Sequence, residues 1–323
     1  MKRVPMHRSE RLGLDVSRLA FGAGPVSGLM TGDDRDAQCA VMEAVAAAGI
    51  NWIDTAAGYG AGRSEENLGQ VLQAMSLSHP MHIATKVRLT EEQLAGDIRS
   101  HVLRSVEESL RRLQRSHVTL LQLHNGLTKE RADEASSVSC DDVLRKNGIA
   151  DALDHVRDQG LCRFIGLTAT GHAETMRAVI RSNRFDTIQC PYNIINPSAG
   201  MVMEETFREA NYGNIFEDCR QFGLGVFAIR VYAGGAILGQ PPSAHTLRTP
   251  YFPLDLYERD AAAARRLEGD ECDVSEAADR QVARALRFVL AHPAVTGAII
   301  GFGRPEHVTQ AVEAVAEQGS TVL

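Results

Sequence analysis

Short apolar runs recur along the chain, each followed by a longer stretch in which apolar residues return at helical spacing. The runs are RLAFG (18–22), INWIDT (50–55), MHIATKV (81–87), VTLLQLH (118–124), RFIGLT (163–168), DTIQCPY (186–192), GVFAIR (225–230) and TGAIIG (296–301). Each has the length of a strand, and their near-continuous apolarity suits strands covered on both faces. The intervening stretches predict helices. DAQCAVMEAVAAAG (36–49) ends on Gly49, a residue suited to a helix C-terminus. SEENLGQVLQAM (64–75) opens on Ser64 as its N-cap. TEEQLAGDIRSHVLRSVEESLRRLQ (90–114) starts with acids and ends with bases, as the helix dipole favours. Further helices are predicted over 141–160, 172–183, 214–223, 274–291 and 305–318.

Eight strand–helix pairs predict an α/β fold, a (β/α)₈ TIM barrel formed as a single domain over residues 1–323. An open doubly wound sheet is the rival, which periodicity by itself does not exclude. Two connections, 125–140 after the fourth strand and 238–273 after the seventh, exceed ordinary loop lengths. The second contains Pro241, Pro242, Pro250 and Pro253 together with Tyr251, Phe252 and Tyr257. It reads either as a lid or as an unstructured insertion carrying a few aromatics.

Composition narrows the function classes. Apolar residues make up 44% of the 323, enough for a large core. The net charge of −7 and the pI near 5.9 leave no basic stripe for nucleic acid. No apolar run approaches the roughly 20 residues of a membrane span. The opening MKRVPMHRSE lacks the apolar segment of a secretory signal, so the expectation is a cytoplasmic protein. Six scattered cysteines without a CxxC pair suggest reduced thiols rather than disulfides or a zinc site. No HxH stands at a strand end, so a metal-dependent hydrolase and a metal cofactor are not expected.

Candidate chemistry gathers where the strands end. The second apolar run closes on Asp54, with Tyr59 in the loop beyond it; the third closes on Lys86 and the fourth on His124. In a barrel all four face one mouth, where catalytic groups sit. Singly, each has a structural reading: an ion pair for Asp54 and Lys86, a core histidine, a packed tyrosine. Jointly they are hard to ascribe to packing, because buried charges need partners.

The order Asp-x₄-Tyr-Gly, then Lys and then His at the next two strand ends, resembles the aldo-keto reductase family over nearly the whole chain. GYGAGRSEENLG (58–69) is similar to that family's tyrosine loop, and GFGRPEHV (301–308) to its phosphate-binding turn. The resemblance implies an NAD(P)-dependent oxidoreductase interconverting an aldehyde or ketone with an alcohol. Tyr59 would be the general acid and base, Lys86 would favour its phenolate, Asp54 would pair Lys86, and His124 would orient the substrate carbonyl. A free phenol titrates near about 10, so a neighbouring cation is what the chemistry requires.

The same resemblance implies a cofactor site. Gly22, Ala23 and Asp54 would lie beside the nicotinamide, and Gln189 would bond its carboxamide. Thr168-Ala169 stands where the family usually has Ser-Asn, keeping a hydroxyl and losing an amide. Ile229 and Arg230 replace the usual stacking aromatic and its successor, with Arg230 expected to reach a phosphate. Gly301, Gly303, Arg304, His307 and Gln310 would form the adenosine end, with Arg304 on a 2′-phosphate. NADP(H) is therefore favoured over NAD(H). The expected partner is a small carbonyl or alcohol, a sugar among the candidates. A cofactor-binding regulatory protein of the same fold, with little turnover, is the alternative.

Overall fold

A computed structural model describes residues 2–75, 79–268 and 274–316. In chain order it contains β1 (Met6–Ser9), β2 (Leu14–Ser17), β3 (Leu19–Gly22), α1 (Arg35–Ala47), β4 (Trp52–Asp54), α2 (Arg63–Ala74), β5 (His82–Val87), α3 (Glu91–Ala95), α4 (Ile98–Leu113) and β6 (Val118–Leu123). There follow α5 (Cys140–Leu144), α6 (Ile149–Asp158), β7 (Cys162–Thr168), α7 (Ala173–Arg181), β8 (Thr187–Pro191), α8 (Ile215–Phe222), β9 (Gly225–Ile229), α9 (Leu254–Glu268), α10 (Val274–Ala291), β10 (Val295–Ile300) and α11 (Pro305–Ala316). The eight strands β3 to β10 pair in parallel and close into a barrel, β10 meeting β3. The barrel, not the open sheet, is the fold. The pair β1 and β2 forms an antiparallel hairpin that the sequence pattern did not predict.

Alternation along the strands sorts the lumen into layers. Trp52, Ala84, Leu120 and Phe227 belong to one buried apolar cluster, with Trp52 and Phe227 stacked at 4.5 Å. Two residues further along three of these strands, in the same pleat phase, stand Asp54, Lys86 and Gln122. The barrel is therefore plugged with hydrocarbon below and polar above. Gly166 makes room for this packing: a Cβ there would lie 2.3 Å from the Thr187 hydroxyl.

Several predicted elements are corrected. The helix expected over 90–114 is two helices, because Gly96 ends α3 and Asp97 caps α4 by accepting from the Ser100 N–H at 3.2 Å. The helix expected over 141–160 breaks at Asn147, whose φ of 59° is left-handed. Ser64 is not an N-cap. Gly62 holds that place, and the Ser64 hydroxyl donates to the Ala23 carbonyl at 2.8 Å. Gly49 adopts φ 77° just past the end of α1, as its position suggested.

Neither long connection is structureless where described. In 125–140, the Asn125 amide donates to the carbonyls of Leu89 and Ser136, each at 2.7 Å. The stretch 238–273 contains α9, and its residues 269–273 lie outside the described residues. The five cysteines among the described residues are unpaired; Cys272 lies outside them. No group of residues among those described could hold a metal ion. Among the described residues no helix is long and apolar enough to cross a membrane.

Candidate active site

Strand register delivers the polar residues to one level. Gly22 pairs with Asp54, Lys86 with Gln122, and Thr168 with Gln189. Tyr59 comes from the loop after β4, which doubles back through three successive left-handed residues, Gly60, Ala61 and Gly62. Two of these are glycine, which accepts that conformation without steric penalty. The loop thus turns the phenol over the strand end instead of away from it.

Lys86 is the centre of the arrangement. Its ammonium donates to Asp54 Oδ2 at 2.6 Å, to the Thr55 carbonyl at 2.9 Å and to the Tyr59 hydroxyl at 3.0 Å. All three donors are therefore used, and the nitrogen is held at one point. Burial works against a charged Lys86, but the Asp54 carboxylate and the Tyr59 hydroxyl outweigh it and raise the lysine above its ordinary value. Asp54 is oriented in turn: its Oδ1 accepts from the amides of Gln122, at 3.2 Å, and Gln189. His124 meets Tyr59 edge-on with ring centroids 5.8 Å apart. Burial, reinforced by the charges of Lys86 and Arg88, holds His124 well below the ordinary histidine range. A neutral imidazole offers one N–H donor and one acceptor. Tyr59 and His124 both keep partial exposure, so a ligand can reach them, whereas Asp54 and Lys86 are buried.

The four residues singled out in the sequence are thus brought together. Gln122 escaped that reading, although a glutamine inside the run VTLLQLH was a visible signal.

The expected cofactor residues divide. Gly22 and Ala23 lie beside Asp54, the Ala23 N–H donating to the Asp54 carbonyl at 2.8 Å. Thr168 ends β7 beside Gln189, and its hydroxyl is buried with no partner. That orphaned donor fits a bound amide at the top of the barrel. Ile229 ends β9, half-buried. Gly301, Gly303, Arg304 and His307 cluster before and in the first turn of α11, with Arg304 exposed and Gly303 N–H donating to His307 Nδ1 at 3.4 Å. Two residues point elsewhere. Arg230 pairs with Asp260 at 2.5 Å and lies over the Phe252 ring at 4.4 Å. Gln310 donates to Asp279 on α10.

Tyr251 and Phe252 explain part of the long connection. Tyr251 stacks on Arg88, just past β5, at 4.2 Å, and Phe252 stacks on Arg230, just past β9. These strands stand four apart in the eight-stranded ring, on opposite walls. Two consecutive aromatic residues therefore bridge the mouth.

With this geometry established, comparison with known proteins is informative. The sequence profile of the Aldo/keto reductase family matches residues 18–321. Aldo-keto reductase YhdN of Bacillus subtilis is 29% identical over 188 residues, 56% of this chain, and the match spans only about half of that relative, 52%. The D-threo-aldose 1-dehydrogenase of a Pseudomonas species is 25% identical over 94% of this chain and 91% of its own. The holo form of aldo-keto reductase AKR11C1 from Bacillus halodurans superposes with a TM-score of 0.68, at 22% identity over 97% of this chain and 91% of that one. A closed barrel, an Asp–Lys–Tyr–His cluster at its mouth and a profile match over nearly the full length lead to one conclusion: the chain belongs to the aldo/keto reductase family.

Proposed function

We propose that the protein is an NAD(P)-dependent oxidoreductase that interconverts a small polar aldehyde or ketone with its alcohol, using Tyr59 as the acid and base. The observation that carries this reading is the three-way bonding of Lys86, which connects the buried Asp54 carboxylate to the Tyr59 hydroxyl. A cation at 3.0 Å stabilises the phenolate left when Tyr59 gives up its proton. His124, neutral and beside the phenol, donates a hydrogen bond to the carbonyl oxygen and aims it at the tyrosine. The buried layer below keeps water from the lysine.

A nicotinamide cofactor, when bound, supplies or accepts the hydride. Thr168 and Gln189 would hold its carboxamide, which is what the unpartnered Thr168 hydroxyl supports. The turn Gly301–Arg304 and the start of α11 would take a phosphate through backbone N–H groups and the exposed arginine. The Arg304 guanidinium, bound by no other described group, favours NADPH. The relative that acts on an aldose supports a sugar-like substrate.

The test is consumption of NADPH and NADH with a panel of aldehydes, ketones and aldoses, in wild type and Tyr59→Phe. The variant should retain cofactor affinity and lose turnover by about 10²–10⁴-fold. Turnover within a few-fold of wild type would remove Tyr59 from the reaction. Cofactor binding without turnover of any carbonyl would favour the regulatory reading.

A further inference from the structure

The charges around the mouth do not cancel. Asp54 answers Lys86 at 2.6 Å, and Asp260 answers Arg230 at 2.5 Å. Arg88 has no such answer. It follows Lys86 by two residues at the end of β5, it is half-buried, and its one described contact is the face of Tyr251 at 4.2 Å. Among the described residues no carboxylate stands within ion-pair distance of it. A protein with a net charge of −7 thus keeps an uncompensated cation beside its reacting groups.

The cation is close to the chemistry. Its charge helps hold His124 neutral, so guanidinium and imidazole share one local field. The covering residues strengthen that field. Tyr251, itself exposed, and the half-buried Phe252 reach across the mouth, and an anion at Arg88 would be screened from water on the aromatic side, where a charged contact is worth more. The two ends of this bridge differ. At the Phe252 end, Arg230 is already neutralised by Asp260. At the Tyr251 end, Arg88 offers an aromatic face on one side and unused N–H donors elsewhere. A planar fork of donors suits a carboxylate.

Building on the carbonyl-reducing role proposed above, we propose that Arg88 is a specificity-determining residue that selects substrates carrying a carboxylate, bound beneath Tyr251 with the carbonyl directed to Tyr59 and His124. The site takes anionic carbonyl compounds, such as aldehyde acids and the open forms of sugar acids, in preference to neutral ones.

The experiment compares 4-carboxybenzaldehyde with its methyl ester, which has the same reacting group and no charge. In wild type kcat/KM for the acid should exceed that for the ester by about tenfold or more. Arg88→Met should bring the ratio to within about twofold of one, and Arg88→Lys should restore part of it, since lysine keeps the charge and loses the fork. A second measurement is independent of turnover: calorimetric binding of benzoate and benzamide to the cofactor-loaded protein. Wild type should bind benzoate more tightly and Arg88→Met should not. A wild-type ratio near one with both aldehydes reduced, or a ratio unchanged in Arg88→Met, overturns the proposal and leaves the carbonyl-reducing function standing. Arg88-dependent benzoate binding without turnover of either aldehyde upholds the anion site and overturns that function. Weaker NADPH binding in Arg88→Met, with the substrate ratio intact, would move Arg88 to the cofactor phosphates and also overturn the proposal.

Discussion

Strand β5 touches two buried ion pairs, one on each face. Inside the barrel, Lys86 binds Asp54. One residue earlier, facing the helices, the Thr85 hydroxyl donates to Glu65 of α2, and Arg112 of α4 closes the cluster with an ion pair at 2.7 Å. Both carboxylates are almost wholly buried. Both therefore depend on a cation held at short range, and neither is surplus to the fold. They differ in where the remaining bonds go. On the outer face the other described partners of Arg112 are Ser109, at 3.2 Å, and Glu108, an exposed acid one turn back on α4, at 3.9 Å. On the inner face the cation also binds a phenol that a ligand can reach. A buried ion pair is thus no sign of chemistry by itself, even with a further titratable partner on the surface; the inner pair is set apart because its third partner is a phenol at the barrel mouth, beside His124.

Breaking each pair at its cation should separate the two roles. Lys86→Met is expected to lower kcat/KM at least as far as Tyr59→Phe, by about 10²–10⁴-fold, because the phenolate loses its counter-charge. Its pH–rate profile should lose or displace a limb, and an unchanged profile would make Lys86 merely structural. Arg112→Met leaves Glu65 buried without a cation, and urea unfolding should show a loss of about 3–5 kcal/mol. At temperatures where that variant remains folded, kcat/KM should stay within a few-fold of wild type. A loss of turnover comparable with that of Lys86→Met would erase the distinction between the faces. The stability loss in Lys86→Met should be no larger than in Arg112→Met, since Asp54 keeps the amides of Gln122 and Gln189 as donors.

The inner face should also respond to pH through His124. Its folded value is depressed, by burial first and then by Lys86 and Arg88, while the unfolded chain titrates near about 6.5. The unfolded state therefore binds more protons below that pH. Stability from this group is present above about 6.5 and declines as pH falls toward the folded value. Urea midpoints measured against pH should show this slope in wild type and a shallower one in His124→Gln. Identical slopes would mean that the imidazole protonates as readily in the fold as in water.

The smallest effect is expected at Gln122. Its amide supports Asp54, yet its carbonyl oxygen is buried with no partner. Gln122→Leu removes a favourable bond and an unfavourable orphan together, so stability should change by about 1 kcal/mol or less, with kcat/KM within about tenfold. Thermal unfolding and steady-state kinetics on the same preparation check both. A larger stability loss would show that Asp54 relies on the glutamine as heavily as on the lysine.

Much of this was legible in the linear pattern. Eight apolar runs separated by helical stretches point to a parallel sheet covered by helices, because strands shielded on both faces leave a simple hydrophobic signature, whereas its closure is decided by the pairing of β10 with β3. Asp54, Lys86 and His124 were legible because a charged or titratable residue closing an apolar run breaks that signature at the end where a barrel places its chemistry. Local turn chemistry was less visible. Gly96 and the left-handed Asn147 divide helices whose apolar periodicity runs on across the break.

What the chain alone could not specify are choices among partners of equal chemical merit. Arg230 and Arg88 are both arginines at strand ends, and both stack on an aromatic residue of the same loop. Only the packing of α9 gives one of them Asp260 and leaves the other without an acid among the described residues. Glu65 and Asp54 are both buried acids, and only the packing of α2 against α4 gives one of them Arg112, while the pairing of β4 with β5 gives the other Lys86 and the phenol. Sequence determines which groups can ionise or donate. Which of them meet depends on contacts between residues far apart in the chain, and for those the tertiary structure decides, because an ion pair or hydrogen bond exists only within a few ångströms.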